Sequence, residues 1–186
     1  CVVNTCSVTE LADKKCRQSI RGFARRYPEA AIVVTGCYAQ LKSGEVAAIP
    51  GVDIVAGTDQ KLALADYVDA WLADKEHKSR LVVTPTCEIR EFLPSCSGED
   101  RTRYFLKVQD GCDYFCTYCT IPYPRGKSRN PKIAEVVIDA QTALNQGAKE
   151  LIITGVNIGD FGRSTGEQFI DLLRAFDQLD GDYRVR

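Results

Sequence analysis

Three thiols stand close together at Cys112, Cys116 and Cys119, in the stretch GCDYFCTYCTIPYPRG at residues 111–126. Their spacing of four and then three residues suits a metal-binding loop, yet the sole histidine of the chain is the distant His77 and no fourth cysteine lies nearby. Three chemistries compete for such a loop. A structural zinc site wants four Cys or His ligands, usually as paired C-x-x-C knuckles, and here it finds three. Unconnected thiols are the plainest alternative, but with nine cysteines in 186 residues this spacing arises by chance only about 2% of the time. The third is a four-iron cluster held by three thiolates, so that one iron has no protein ligand. An open coordination position belongs to sites that bind a substrate or cofactor, and the missing fourth ligand favours this third chemistry.

The rest of the chain must place that loop. Its composition, 45% hydrophobic and 26% charged, is that of a soluble protein long enough for one good core or two small ones. No apolar run approaches the roughly 18–20 residues of a membrane span, and no signal peptide opens the chain. A secreted disulfide domain would be smaller and would pair its cysteines; an odd count among alternating strands and helices predicts a reducing, cytoplasmic setting. Net charge is −1, so any attraction for a polyanion is local. Such a locality exists between residues 101 and 129, where Arg101, Arg103, Lys107, Arg125, Lys127 and Arg129 face only Asp110 and Asp113.

The first 73 residues alternate strand and helix. CVVNTC (1–6) predicts a strand; Ser7 with Glu10 forms an S-x-x-E capping box that predicts a helix start. On that helix Ala12, Cys16, Ile20, Phe23 and Tyr27 share an arc of roughly 80°, with Lys14, Arg17, Arg21 and Arg25 on a separate arc. AIVVTGC (31–37) predicts a second strand, followed by a helix over about 38–48. VDIVAG (52–57) predicts a third, and Thr58 is expected to cap a helix carrying Leu62, Ala65, Val68 and Leu72. Polar residues 74–101, with two prolines and one short strand-like run, predict a connection. Alternation resumes with RYFLKV (103–108), the cysteine loop, a helix entered through Asn130 and Pro131 with Ile133, Val136, Val137, Ala140 and Leu144 inward, a stop at Gly147, the strand ELIITG (150–155), a helix over about 165–179, and a strand beginning at YRVR. Strand–helix alternation of this kind means parallel sheets covered by helices. Cys6 and Cys37 each follow a strand and precede a helix, at neighbouring positions on the carboxyl edge where ligands bind and where helix N-termini would favour thiolates. Buried strand-end thiols are the competing explanation. Cys16 is expected in the core, and Cys87 and Cys96 have no ligand spacing.

C-x-x-x-C-x-x-C after a first β/α strand resembles the radical S-adenosylmethionine superfamily. The resemblance implies that the cofactor's amino and carboxylate groups chelate the open iron, and that reduction of the cluster yields a 5′-deoxyadenosyl radical. Tyr118, just before the third cysteine, then matches a position that contacts adenine, against the alternative of a packing residue. Gly155 and Asn157 in TGVNIGDFG fall where that superfamily holds the methionine moiety, although a plain strand-to-helix loop explains these residues too. VNTCSVTE and GCYAQ resemble the amino-terminal domain of the methylthiotransferases, as do RTRYFLKVQDGC, CTYCTIPYPRG and ELIITGVNIGDFG. In that family an auxiliary four-iron cluster is held by three cysteines, of which Cys6 and Cys37 match the second and third. The first would lie upstream of Cys1, which sits about 16 Å from Cys6 along a strand. Pro124 stands where alanine is expected.

The resemblance therefore implies an α/β protein: a small flavodoxin- or Rossmann-like parallel sheet domain (1–73), a connection (74–101), and the first part of a radical (β/α) partial barrel (102–186). It implies two four-iron clusters and S-adenosylmethionine as cofactors, with no catalytic side chain beyond the cluster ligands. The expected substrate is tRNA, modified at C2 of N6-threonylcarbamoyladenosine beside the anticodon; the tyrosine of GCYAQ and the run REFLP point to that branch. Isopentenyladenosine in tRNA or a ribosomal-protein aspartate is the alternative substrate. Arg125, Lys127 and Arg129 would meet substrate phosphates, against the alternative of a solvated basic loop, and the Lys14–Arg25 stripe reads as a solvated face rather than the alternative, an RNA track. A flavodoxin or ferredoxin would supply electrons to an expected monomer. Beginning without Met and lacking the later barrel strands and RNA-binding module, the chain is expected to be an inactive piece of a longer enzyme. From other classes, a zinc-bearing nucleic-acid-binding module would be colourless, and an electron-transfer protein would need a fourth cysteine.

Overall fold

The computed structural model describes residues 1–94, 96–97 and 102–186. Arg101 and the side chain of Cys96 lie outside the described residues. The chain divides into two compact units, Cys1–Ile89 with Tyr114–Gly126, and Arg90–Asp113 with Lys127–Arg186.

In the first unit β1 (Val2–Thr5), β2 (Val33–Gly36), β3 (Ile54–Ala56) and β4 (Arg80–Val82) form one parallel sheet in that order. The two central strands, β2 and β3, are buried throughout, as continuous Val/Ile runs between covering helices must be. Alternate residues serve opposite faces. Val34 and Val55 pack with Ile20, Tyr38 and Val46, whereas Val33 and Ile54 pack with Trp71. The first face is covered by α1 (Glu10–Arg26), α2 (Cys37–Leu41) and α3 (Ser43–Ala47), the second by α4 (Leu64–Leu72).

Several sequence expectations are corrected here. The cap of α1 is Thr9, whose hydroxyl accepts from Ala12 N; Ser7 instead donates to buried Asp13. The inward face of α1 is Asp13, Cys16, Ile20 and Ala24, while Phe23 and Tyr27 are exposed at 41% and 42%. That arc is thus rotated from the predicted one, because Asp13, with both oxygens taken by Ser7 and Lys42, is tolerated inside. The single helix expected over 38–48 breaks at Lys42 (φ −128°, ψ 45°) into α2 and α3. Thr58 caps no helix. A single 3-10 turn, Lys61–Ala63, leads into α4, and Trp71 rather than Leu62 or Leu72 is buried. His77 stacks on Trp71 with ring centroids 4.3 Å apart. The stretch read as a connection contributes β4 to this sheet and β5 (Cys96–Ser97) to the other.

In the second unit β5 is antiparallel to β6 (Arg103–Lys107), and β6, β7 (Glu150–Thr154) and β8 (Arg184–Val185) are parallel. Between them run α6 (Ile133–Asn145) and α7 (Phe169–Phe176), while the remaining short helix α5 (Pro122–Arg125) belongs to the first unit. Helix α6 buries Val136, Ala140 and Ala143 against Leu106, Leu151, Leu172 and Phe176; Ile133 and Leu144 are half-buried beside them. It ends ahead of Gly147, whose φ of +98° only glycine adopts readily. Its N-cap is Lys132 rather than Asn130, and α7 is shorter than the predicted span. The protein is thus mixed α/β, with parallel pairing dominating both sheets.

Candidate functional site

Cys6 and Cys37 are placed by strand register. Thr5 on β1 is paired with Gly36 on β2, so each cysteine is the first residue beyond a matched pair, on strands about 4.8 Å apart. Cys6 is exposed and Cys37 half-buried. Gly36 makes this approach possible. At φ +97° and ψ −168° it occupies a region that is nearly glycine-only, and a Cβ there would lie 2.3 Å from Thr5 O. The expected helix N-terminus behind Cys6 is corrected, because α1 starts at Glu10, four residues beyond it; Cys37 is itself the first residue of α2, a helix of five residues.

Side chains next to the two cysteines lock this edge. The Thr5 hydroxyl donates to Thr35 O (2.6 Å) and accepts from Ala39 N (3.3 Å). Ser7 donates to Asp13 at 2.7 Å, and Lys42 donates to the other Asp13 oxygen at 2.8 Å. Tyr38, fully buried, donates to Glu45 (2.8 Å) and accepts from Arg17 (3.0 Å). Burial pushes its ionisation up, while the Arg17 hydrogen bond pulls it down.

Residues 114–126 belong to the same unit. Thr120, just past Cys119, donates to Ser7 O, just past Cys6, at 3.4 Å. Thr58 donates to Pro124 O at 3.1 Å. A Cβ on Gly126 would sit 2.9 Å from Thr86 O. Thus Cys116 and Cys119, joined by a Cys119 N to Cys116 O bond of 2.9 Å, rise from a segment braced on the same sheet edge as Cys6 and Cys37. Pro124 sits in the first turn of α5, where a helix leaves N–H groups unpaired anyway, so it is accommodated without loss of an internal bond. Tyr118 is 88% exposed, which removes the packing explanation and leaves its ring available to a ligand. Phe115 has a positive φ of 47°, unusual for a bulky residue, and its ring meets Tyr123 edge-on at 5.7 Å.

Cys112 lies in the second unit, half-buried, beyond a root built by Gln109 and Asp110. Neither was singled out by sequence, since a Gln–Asp pair after a strand looks like an ordinary polar turn. Gln109 is fully buried. Its Oε1 accepts from Val156 N (2.9 Å) and Asn157 N (2.8 Å), and its Nε2 donates to Gly111 O (2.8 Å) and Ser128 Oγ (2.9 Å). One amide therefore ties the start of the cysteine loop to the loop after β7. There Gly155 would place a Cβ 3.1 Å from Gln109, and the Asn157 side chain donates to Asp160. Their backbone is thereby fixed at the strand end, with Gly155 exposed.

Asp110 is buried between Lys107 (2.8 Å) and Arg129 (3.3 Å), and accepts from Gly111 N at 2.9 Å. This corrects the reading of Arg129 as a phosphate contact. It is buried, its guanidinium donating to Glu91 O (2.8 Å) and Lys127 O (3.1 Å) besides Asp110, because its backbone forms a bridge with that same aspartate. Lys127 is exposed and Arg125 half-buried. Replacing Asp110 by asparagine keeps an acceptor for Gly111 but removes the carboxylate charge that faces Lys107 and Arg129, and should destabilise the second unit by about 2 kcal/mol. Urea unfolding followed through exchange of the β6 and β7 amides measures this; an unchanged profile would show the ion pairs to be idle.

None of the thiols at positions 6, 37, 112, 116 and 119 is in a disulfide. Among the described residues no three Cys, His, Asp or Glu side chains converge closely enough to hold a metal ion. The donor set nevertheless fits an iron–sulfur group: soft sulfur ligands, partly or fully exposed, on a loop braced at its ends rather than at its thiols.

Residues 1–57 match the family described as "Uncharacterized protein family UPF0004". The whole chain is 40% identical to the threonylcarbamoyladenosine tRNA methylthiotransferase MtaB of Bacillus subtilis and 38% identical to that of Thermotoga maritima, covering 42% of each. It is 31% identical to a tRNA-2-methylthio-N(6)-dimethylallyladenosine synthase of Acidithiobacillus ferrooxidans, covering 43% of that protein. The chain thus spans about two fifths of the length of these relatives. Among the described residues no helix is long and apolar enough to cross a membrane. Over its whole length the chain is similar to about two fifths of these tRNA methylthiotransferases, and its first 57 residues match the UPF0004 family.

Proposed function

We propose that the full-length protein adds a methylthio group to C2 of N6-threonylcarbamoyladenosine in tRNA. The observation that carries this reading is the shared sheet edge. Cys6 and Cys37 leave paired strand ends, and the segment bearing Cys116 and Cys119 is hydrogen-bonded to the residue after Cys6. Sulfur insertion needs a sulfur-bearing centre and a C–H-activating centre near one another, and this edge offers thiols for both.

Cys112, Cys116 and Cys119 would hold one four-iron cluster, and Cys6 and Cys37, with a ligand from outside this chain, another. When bound, the first supplies the electron that reductively breaks a C–S bond of S-adenosylmethionine, and the second carries the sulfur that becomes methylthio. The chain's own residues position and shield. Exposed Tyr118 offers a flat face to the cofactor's adenine, and Gln109 fixes the Gly155–Asn157 backbone for its methionine end. Lys127 and Arg125 lie on the strand of chain leaving the loop and would meet substrate phosphates. No general base is required of the single histidine, which packs on Trp71. A flavodoxin or ferredoxin would deliver the electron, and a cytoplasmic setting would suit a tRNA substrate. Identity of 40% to the threonylcarbamoyladenosine enzyme against 31% to the dimethylallyladenosine synthase favours the first substrate.

The test is nucleoside analysis of tRNA from a strain lacking the full-length gene. The methylthio derivative of threonylcarbamoyladenosine should vanish and return on complementation. Loss of the dimethylallyl species instead would reassign the substrate. No change in either, together with a colourless, zinc-bearing protein, would overturn the reading.

A further inference from the structure

The cations of α1 are not distributed as an ordinary solvated face would be. Helix α1 carries Lys14, Lys15, Arg17, Arg21, Arg25 and Arg26 against only Glu10 and Asp13. Asp13 is buried and taken by Ser7 and Lys42, and Arg17 is paired with Glu45. The other five cations are exposed, and among the described residues none has a carboxylate within ion-pair distance. Ordinary charged helices lace such residues with acids three or four positions away. In a chain of net charge −1, five unneutralised cations on a single helix concentrate positive charge, and three of them, Lys14, Arg21 and Arg25, form one strip.

The strip also has a direction. Lys14, Arg21 and Arg25 lie within about 40° of arc and span about 16 Å of helix, roughly the rise of five stacked nucleotides at ~3.4 Å each. Because α1 follows β1 and returns to begin β2, it descends from the sheet edge that carries Cys6 and Cys37. A shallow groove lined by Arg21, Ala24, Arg25, Pro50 and Gly51 runs beside its lower half, giving an apolar floor between two cations. On the far side Tyr27 is exposed beneath Arg26, 5.5 Å from ring to guanidinium.

We infer that the α1 strip is an RNA-docking surface, on which Lys14, Arg21 and Arg25 hold consecutive phosphates of the strand leading away from the modified nucleoside. This rests on the reading of the protein as a tRNA-modifying enzyme and adds the surface that grips the substrate. The contacts are with phosphates, so they position without reading sequence.

The experiment uses the full-length protein and the triple variant Lys14→Ala/Arg21→Ala/Arg25→Ala, with Lys75→Ala/Lys78→Ala/Lys132→Ala as a matched loss of exposed charge. Binding of unmodified tRNA is measured by fluorescence anisotropy across a salt series. Each lost phosphate contact removes about 0.7–0.9 from the slope of log affinity against log salt, so the α1 triple should lose about 2 to 3 in slope. Its Kd at low salt should rise at least about tenfold, and for unrelated RNA as much as for substrate. The matched control should move neither quantity. S-adenosylmethionine cleavage without RNA and the unfolding midpoint should stay at wild-type values, since all three side chains are exposed. An α1 triple with wild-type slope and Kd overturns the surface while leaving the functional reading standing, as does an equal loss in the control. A triple that loses only binding to anionic phospholipid vesicles overturns it too. A wild-type protein that binds no tRNA at any salt overturns the functional reading itself, and the surface with it.

Discussion

Replacing Cys116 by alanine in the full-length protein should reduce reductive cleavage of S-adenosylmethionine to background while leaving the thermal unfolding midpoint of the metal-free protein unchanged. The two halves of this expectation have different causes. Cys116 is exposed, so its truncation removes no buried contact, opens no cavity and belongs to none of the mechanisms behind large destabilisations. Its proposed role lies wholly in its sulfur, one of three ligands with no fourth to substitute. Cys16 is the internal comparison. Half-buried against Ile20 and Val34, with its thiol donating to Cys6 O at 3.4 Å, it should cost about 1 kcal/mol when changed to alanine and leave cleavage intact. Iron content of the anaerobically reconstituted proteins, 5′-deoxyadenosine formed per protein, and calorimetry separate the two. Cleavage surviving in the Cys116 variant would remove the three-thiolate cluster at that loop, and the proposed chemistry with it.

What could be read from the sequence divides along physical lines. Strand runs such as IVV and DIVA and the stop at Gly147 are local signals, and the strands and the stop they predict are present. The thiol spacing within 112–119 is equally local. Signals that depend on partners were misjudged. Asp13 is missing from the predicted inward arc of α1 because nothing in the sequence shows Ser7 and Lys42 converging on its two oxygens, and the observed face is rotated accordingly. Arg129 was read as a phosphate contact for the same reason: its acceptors come from Glu91, Asp110 and Lys127, the first 38 residues away. Polar residues 74–101 show one short strand-like run but not its pairing with β3, because an edge strand needs only half-burial, as in Arg80–Val82. Gln109 gives no sequence signal because glutamine is common in turns; only tertiary structure shows one amide meeting two backbone donors on one side and three acceptors on the other.

Gly36→Ala should be the most disruptive single-methyl change in the first unit, costing about 4 kcal/mol. Two independent penalties add. The backbone at φ +97° and ψ −168° is nearly closed to residues with a side chain, a strain of about 1–3 kcal/mol. The new Cβ also meets backbone rather than a yielding side-chain tip, at 2.3 Å from Thr5 O and 2.7 Å from Thr5 N, so β1 must move, at about 1–3 kcal/mol more. Gly147→Ala isolates the first penalty: its φ is +98° but nothing lies within 4 Å of the added carbon, and its loss should stay near 1–2 kcal/mol. Amide exchange in β1, β2 and β6 resolves the two, because each variant should loosen the strands of its own unit. The functional consequence follows from position. Gly36 is paired with Thr5, so any shift that relieves the overlap separates Cys6 from Cys37 before the rest of the sheet responds. Iron bound at the auxiliary thiols should therefore fall in Gly36→Ala at temperatures where the unit is still folded, and should be retained in Gly147→Ala. Equal losses of stability and iron in the two variants would show that close strand approach at Gly36 does not set the spacing of the thiol pair.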